Sequence, residues 1–585
     1  MKQHFTKGIL SLFLLLCILP PLSATNEVVV SFSAQGGFYD DSFDLILSCP
    51  EAYTIHYTLN GKTPTASDPV YSAPLTLDKS LFSQSNFYKI QSCPDEQWFI
   101  PDDIQKCIVV RAAAFDSGGQ PCGPVSTNSY FIRSIGNYPS SIPVVSLCAD
   151  SSALFDHTTG IMTTGGSHNH LQRGKDWERP CNIEFYETDN SGINQQAGVR
   201  MHGGGARNGI QKGMKLYARK EYGQKQFCHK FFETTENRCF RHLVLKPLKE
   251  GSIFRDYLCD RMAYSVDVET VASRPMTLFL NGEFWGIYFL KEKPDAQFVS
   301  DHFGYEKEDV NVIESWYGDI SDGDNTNFVE MMRWLMQADL SDSEDYDKMC
   351  RMIDVDCFID YYCLCLFIGI PDWPDRNMRC WQAGDGKWRW IFFDGDYGCG
   401  PTQNMFYYAL YNGENAMGPV LMFSKLLCNA DFRDRFYDRY GKLLTNEFGY
   451  GNTSKSFATC MAFINDESDL VGSHFARFGW PNQMEDITSF SDTFLKNRIV
   501  NASGMIYSLY YCNNWIFRRS AKTSGQQFKF NPKSKRPTFL LRMYRQFDDF
   551  EYVKAYLSHE PRYIKEKLKS TKTYKYFKAK RKNHQ

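Results

Sequence analysis

IPDWPDRNMRCWQAGDGKWRWIFFDGDYG, residues 370–398, sets an aspartate and an asparagine five positions apart, then a strand, then two more aspartates. Asp372 and Asn377 have the Asp-x-x-x-x-Asn spacing of a phosphotransfer catalytic loop. There the carboxylate orients an attacking hydroxyl and the amide oxygen holds a metal. KWRWIFF alternates as a strand and delivers Asp394 and Asp396 at its end, where two carboxylates can approach one hard cation through oxygen. Taken singly, each motif is commonplace on solvated turns of acidic chains. Their weight comes from what precedes them.

Upstream, MHGGGARNGIQKGMKLYARKEYG (201–223) runs three consecutive glycines into a basic, strand-like segment. A His-Gly-Gly-Gly turn can supply backbone N–H groups to an oxyanion, but that chemistry needs a G-x-S-x-G nucleophile elbow, and the sequence has none. The remaining reading is a glycine turn over the phosphates of a nucleotide, with Gly203, Gly204 and Gly205 approaching closely. Lys212 is the first choice for the lysine on those phosphates and Lys215 the reserve. For Lys215 an exposed face of an edge strand is an equal account.

Between the two stretches, PMTLFLNGEFWGIYFLKEK is a hairpin, because Asn281-Gly282 sits between alternating apolar strands. VEMMRWLMQADL, YDKMCRMIDVDCFIDYYCLCLFIG and VLMFSKLLCNADFRDRFYDRYGKLLTNEF then carry apolar residues at helical intervals. A strand-rich half followed by a helix-rich half predicts an α+β, two-lobed, kinase-like domain over 143–510. Glycine turn, lysine strand, hairpin, helices, Asp-x4-Asn, strand and Asp-x-Asp occur in the order such a fold requires.

Ahead of it, residues 25–134 read as an all-β sandwich with immunoglobulin-like topology. Short β-branched runs such as YTIHYTLNG and CIVVRAAAF are parted by glycine turns. IGNYPSSIP (135–143) is expected to be a linker. The chain is therefore multidomain, in keeping with 585 residues of which 43% are hydrophobic.

Residues 1–24 have the form of a secretory signal: Lys2 and Lys7, the apolar run ILSLFLLLCILP, then Leu22-Ser23-Ala24. This predicts an exported protein, outside the cell, periplasmic or on the cell surface, with no transmembrane helix beyond the signal. A lipoprotein anchor at Cys17 is disfavoured, since Cys17 lies inside the apolar run. A formal charge of −3 gives no reason to expect nucleic acid. The basic extension 511–585 reads as a solvated tail. Cys49, Cys93, Cys107 and Cys122 cluster near the N-terminus and are the disulfide candidates of an exported chain. Cys363 and Cys365 read as buried small hydrophobes.

TIHYTLNGKTPTASDPVYSAPLTL (54–77) resembles the chitobiase/β-hexosaminidase C-terminal type of module, which implies an extracellular accessory domain and a glycan contact through the sandwich. The segments at 201–223, FRDYLCDRMA (254–263), the hairpin, and DWPDRNMRCWQAGDGKWRWIFFDGDYGCG together resemble the CotH kinases, secreted or spore-coat atypical protein kinases. That resemblance implies ATP as donor, Mg²⁺ or Mn²⁺, and phosphate transfer to serine or threonine of an exported or cell-surface protein. Carried over by position, Asp372 orients the hydroxyl, Lys212 meets the phosphates, and Asn377, Asp394 and Asp396 hold metal. Glu292 falls at a recurrent acidic position near the nucleotide, and Arg255 and Asp256 begin the helix behind the lysine, where either one orients it or simply caps the helix. Two positions depart from the family pattern: Ile370 stands where an asparagine is usual, and Gly213 where a serine is. Ile370 leaves a second expectation beside the enzyme, an inert surface scaffold with a kinase-like domain.

Overall fold

The computed structural model describes residues 27–502, apart from 93–98, 249–253, 401–404, 411–418, 482–493 and positions 317, 375, 496 and 500. The signal at 1–24, Cys17, Cys93 and the extension 511–585 lie outside the described residues.

The N-terminal part is β-rich. Strands Gly37–Tyr39, Ser126–Ile132, Ile108–Phe115 and Thr54–Thr58 form one sheet in that order. Two small pairs, Ser31–Phe32 with Leu47–Ser48 and Asp44–Leu45 with Leu75–Thr76, accompany it. Val30, Leu45, Leu47, Leu77, Ile108, Val110 and Tyr130 meet in its core.

The strand-rich half of the second domain closes on itself. Its strands are β1 (Val144–Cys148), β2 (Arg179–Tyr186), β3 (Gly192–Met201), β4 (Met214–Tyr217), β5 (His242–Pro247), β6 (Ser273–Leu280) and β7 (Glu283–Lys291). They form a barrel ordered β2-β3-β4-β5-β7-β6-β1. Closure comes from β1, antiparallel to β2 on one side and parallel to β6 on the other. Alternation drives it: Leu147, Ile183, Val199, Met214, Leu216, Leu245 and Leu278 all point inward to one core.

A second sheet, Glu269–Thr270, Arg389–Phe392, Cys380–Ala383, Val310–Ile313 and Ile320–Asp322, begins the other half. Helices pack around it and around a central, almost wholly buried helix, Val355–Ile368. Of these helices, α1 is Arg255–Ala263 and α2 is that central Val355–Ile368. The helical segments of the sequence are more finely divided than their periodicity suggests. Asp354 caps α2 through the N–H of Cys357, separating it from Ser343–Met352. Asn429 likewise starts Ala430–Thr445 through the N–H of Phe432.

The expected linker is not a loose tether. Tyr138 is buried and its hydroxyl donates to the Lys106 carbonyl, while Ser140 and Ser141 donate to Glu467. The N-terminal module is clamped to the hairpin turn. Ser83 and Ser85 hydroxyls donate to the Asn281 carbonyl, and the Glu283 carboxylate accepts the N–H groups of Phe87 and Tyr88 at 2.8 and 2.9 Å. Gly282, at φ 81°, leaves no room for a Cβ, which would sit 2.7 Å from Ser83 Cβ.

The cysteine expectation is corrected. Among the described residues Cys49, Cys107 and Cys122 are free thiols, and a disulfide joins Cys228 to Cys239, across the pair Phe227–Cys228 and Cys239–Phe240. Nearness in sequence did not bring the N-terminal thiols together: Cys107 is buried in the module's contact with the barrel, whereas Cys49 and Cys122 sit partly exposed and donate to nearby carbonyls. Cys363 and Cys365 are buried, as expected.

Candidate active site

Strand alternation sorts β4 and β5 into two faces. Met214, Leu216, Leu243 and Leu245 enter the barrel core, so Lys215, Tyr217, His242, Val244 and Lys246 lie on the other face. Register sets Lys215 beside Val244 on one side and beside Arg200 of β3 on the other. This single face of three strands carries two charged groups of side chains.

The first is built on Lys246. Its ammonium lies 3.0 Å from Asp256 Oδ1, 2.5 Å from Asp394 Oδ1 and 4.0 Å from Asp396 Oδ2. Asp256 and Asp260 stand one turn apart on α1, so both face the barrel. Lys291, at the end of β7, donates to Asp256 Oδ2 at 2.7 Å and lies 2.6 Å from Asp260 Oδ2. Burial alone would lower Lys246, but Asp256, Asp394 and Asp396 outweigh it and hold it well above the usual lysine range. Burial would raise Asp256, yet Lys246 and Lys291 bring it below the usual range. For Asp260 burial prevails and pushes the carboxyl up to about 6. Here a cation of the strand-rich half meets carboxylates of the helix-rich half.

Asp394 reaches this group, and Asp372 follows the end of α2 on which the 394–399 turn folds. Gly369 ends the helix in the left-handed region, and the chain then passes through the buried Ile370 to Asp372. Asn377 Nδ2 donates to Asp372 Oδ2 at 3.0 Å, which turns the Asn377 amide oxygen away from that carboxylate. The 394–399 turn folds back on the same helix end, Cys399 N–H donating to the Ile368 carbonyl at 2.7 Å. Asp394 and Asn377 both adopt positive φ, 63° and 56°. Backbone of this kind in non-glycine residues gathers at sites where side-chain aim matters more than local comfort.

Among the described residues no three His, Cys, Asp or Glu side chains gather as a protein-only metal cage. Asn377, Asp394 and Asp396 each carry oxygen donors of the kind Mg²⁺ takes in phosphotransfer sites, where one or two carboxylates are completed by phosphate and water.

The second group surrounds Asp295, just past the end of β7. Asp295 Oδ2 lies 3.0 Å from His242 Nε2, 3.0 Å from Lys293 Nζ and 3.8 Å from Lys215 Nζ. Burial, then Lys293, brings Lys215 down to about 7. Burial, then Lys215 and Lys293, also lowers His202 well below the usual histidine range. Asp295, despite burial, is held well below the carboxylate range by His242 and the lysines.

Several expected residues sit otherwise than their sequence positions suggest. Lys212 is fully buried, and its ammonium donates to the carbonyls of Arg207 at 2.9 Å and Gly209 at 3.3 Å. It pins the glycine loop from within. Glu292 is buried too, accepting from Ala272 N–H and pairing with His302 at 2.7 Å. Gly203, Gly204 and Gly205 form an open turn. The latter two are exposed, and a Cβ on either would meet no atom within 4 Å. Gly213, which ends that loop, packs against Pro247, the residue after Lys246. Asp372 and Asn377 are brought together, as are Asp394 and Asp396 around Lys246. Lys246 itself is missed by the sequence reading. Its signal was Leu243-Val244-Leu245-Lys246, a strand lysine of V-A-I-K type ahead of the helix that supplies its carboxylate.

Comparison with known proteins bears on this arrangement. Residues 34–91 match the chitobiase/beta-hexosaminidase C-terminal domain family. A search of curated proteins finds no match to the chain. Residues 199–501, more than half of the 585, match the family described as CotH kinase protein, and the chain belongs to that family.

Proposed function

We propose that this protein is an exported atypical kinase that moves the γ-phosphate of ATP, with Mg²⁺ or Mn²⁺, onto a serine or threonine hydroxyl of an exported or cell-surface protein. The observation that carries the reading is Lys246, ion-paired at once to Asp256 of α1 and Asp394 of the metal-binding turn. A kinase needs this linkage: a strand lysine on the phosphates, a helix carboxylate fixing the lysine, and a metal-binding aspartate beyond them.

In this account the open 203–205 turn offers backbone N–H groups to the phosphates and Lys246 adds a fixed cation. Lys291, itself held by Asp260, keeps Asp256 ionised and in place behind it. Asn377 and Asp394, with Asp396 in support, hold the divalent ion, which when bound neutralises charge on the transferring phosphate. Asp372, steadied by the Asn377 amide, accepts the hydroxyl proton as the new O–P bond forms and the bond to ADP breaks. Lys212 serves the loop's shape, and Lys215 with Asp295 forms the second charged group on the strand face that carries Lys246.

One observation favours a second reading, an inert scaffold. Ile370 is buried apolar bulk where the resemblance expects an asparagine beside the catalytic loop. Transfer of label from γ-labelled ATP to exported proteins separates the two. The enzyme reading expects transfer by the parent and none by Asp372→Asn, with nucleotide binding retained in both. No transfer by the parent with either metal, across a panel of exported proteins, favours the scaffold.

A further inference from the structure

Helix α1 touches the metal-binding turn through a second residue besides Asp256. Cys259, one turn further along, places its sulfur 3.3 Å from the Gly395 carbonyl and 3.6 Å from the sulfur of Cys399. Asp256 Oδ1 accepts the Gly395 N–H at 2.8 Å, so the same two elements meet at an ion-pair end and at a thiol end. The fit is close: a Cβ at Gly395 would lie 2.4 Å from Cys259 Cβ, and one at Gly398 would lie 2.9 Å from its sulfur. Both thiols are buried, at 0% and 1% exposure. The two cysteines are 140 residues apart in sequence.

We propose that Cys259 and Cys399 are a cross-linking site, forming a disulfide in the exported protein that ties α1 to the Asp394–Asp396 turn. Two sulfurs in contact need only about 1.5 Å of further approach to reach the bonding distance of about 2.05 Å. The inference rests on the export reading of residues 1–24 and is independent of phosphate transfer. The Cys228–Cys239 disulfide already belongs to a chain adapted to oxidation.

Burial pushes the Cys259 thiol well up, which makes the closed protein a poor target, so the bond forms while α1 and the 394–399 turn are still coming together. The co-reactant is a disulfide oxidant. One cysteine loses its proton and attacks an oxidant sulfur, releasing one thiol and leaving a mixed disulfide. The other cysteine loses its proton and displaces the second thiol. The protein gives up two protons and two electrons, and the oxidant disulfide is reduced to two thiols. The product closes a long loop between α1 and the 394–399 turn, so it stabilises the placement of Asp256 and Asp394 around Lys246.

The test is a peptide map of the full chain refolded in a glutathione redox buffer, with free thiols alkylated under denaturing conditions. The expected result is a Cys259 peptide joined to a Cys399 peptide, two hydrogens lighter than the separate thiol peptides and separated by reductant. The proposal is overturned if both cysteines are recovered alkylated while Cys228–Cys239 is found joined in the same digest, or if either is joined elsewhere. A second measurement uses Tm with and without reductant: the drop should be smaller in Cys399→Ser than in the parent. Equal drops in the two proteins count against the cross-link.

Discussion

The Lys246 ammonium and the Asp394 carboxylate, 148 residues apart in sequence, stand 2.5 Å from each other, each contributed by a different half of the domain. The same ammonium is 3.0 Å from Asp256. Lys212, by contrast, spends its donors on the carbonyls of its own loop.

These two lysines should therefore fail differently. Lys246→Met is expected to abolish the rise in Tm on adding ATP and Mg²⁺, since the phosphates lose their fixed cation. Lys212→Met is expected to lower Tm with and without nucleotide alike, because removing the donor to buried carbonyls costs about 1–3 kcal/mol. Thermal melts of both variants, with and without ligand, decide it. The reverse pattern would return the phosphates to Lys212.

How much of this was legible in the sequence follows from which signals are local. The hairpin at Asn281-Gly282 and the strand before Asp394 are written in neighbouring residues, and the Asp372–Asn377 pair is a matter of spacing along one loop. Lys246 was harder because its meaning depends on Asp256 and Asp394, which reach it only after the barrel and α2 are packed. Barrel closure by β1 was likewise hidden, since a strand's second neighbour leaves no mark on its own residues. Lys212 shows the opposite failure: a lysine beside a glycine turn fits the phosphate pattern, yet the loop needed a buried donor more. The disulfide followed the pairing of two short strands, which clustering of cysteines in sequence does not report.

The N-terminal module should respond to pH through Glu184. Its carboxylate is fully buried where β2 meets the module, accepting from Ser129 N–H and from the hydroxyls of Ser129 and Tyr186. Burial outweighs those hydrogen bonds and pushes the group up to about 7 from an ordinary 4.5. Between about 4.5 and 7 the folded protein then holds more protons than the unfolded chain, so this group's contribution to stability falls as pH rises and levels off above 7. Glu184→Gln removes the effect. Urea titrations should find the variant closer to, or above, the parent at pH 8 than at pH 5, by up to about 3 kcal/mol in relative terms. An unchanged difference between the two pH values would contradict the assignment.

Lys215 should behave as an unusually reactive amine. Burial and Lys293 bring it to about 7, so much of it is neutral at pH 8, while ordinary lysines remain protonated. Its sign for stability is opposite to that of Glu184: between about 7 and 10.5 the unfolded chain holds the extra proton, and stability from this group rises with pH. Brief acylation at pH 8, read by peptide mapping, should modify Lys215 ahead of exposed lysines such as Lys175. ATP with Mg²⁺ should suppress that labelling by covering the strand face that carries Lys215 and Lys246. Preferential labelling of Lys175 would contradict the reading.

Asp394 joins the strand-rich half's cation to the proposed metal. The most direct measurement is calorimetric titration of ATP, with and without Mg²⁺ or Mn²⁺, into the parent and Asp394→Asn. The account predicts metal-dependent binding by the parent and its loss in the variant, with the folded state of both checked by circular dichroism. Equal metal-dependent binding by the two folded proteins would contradict it.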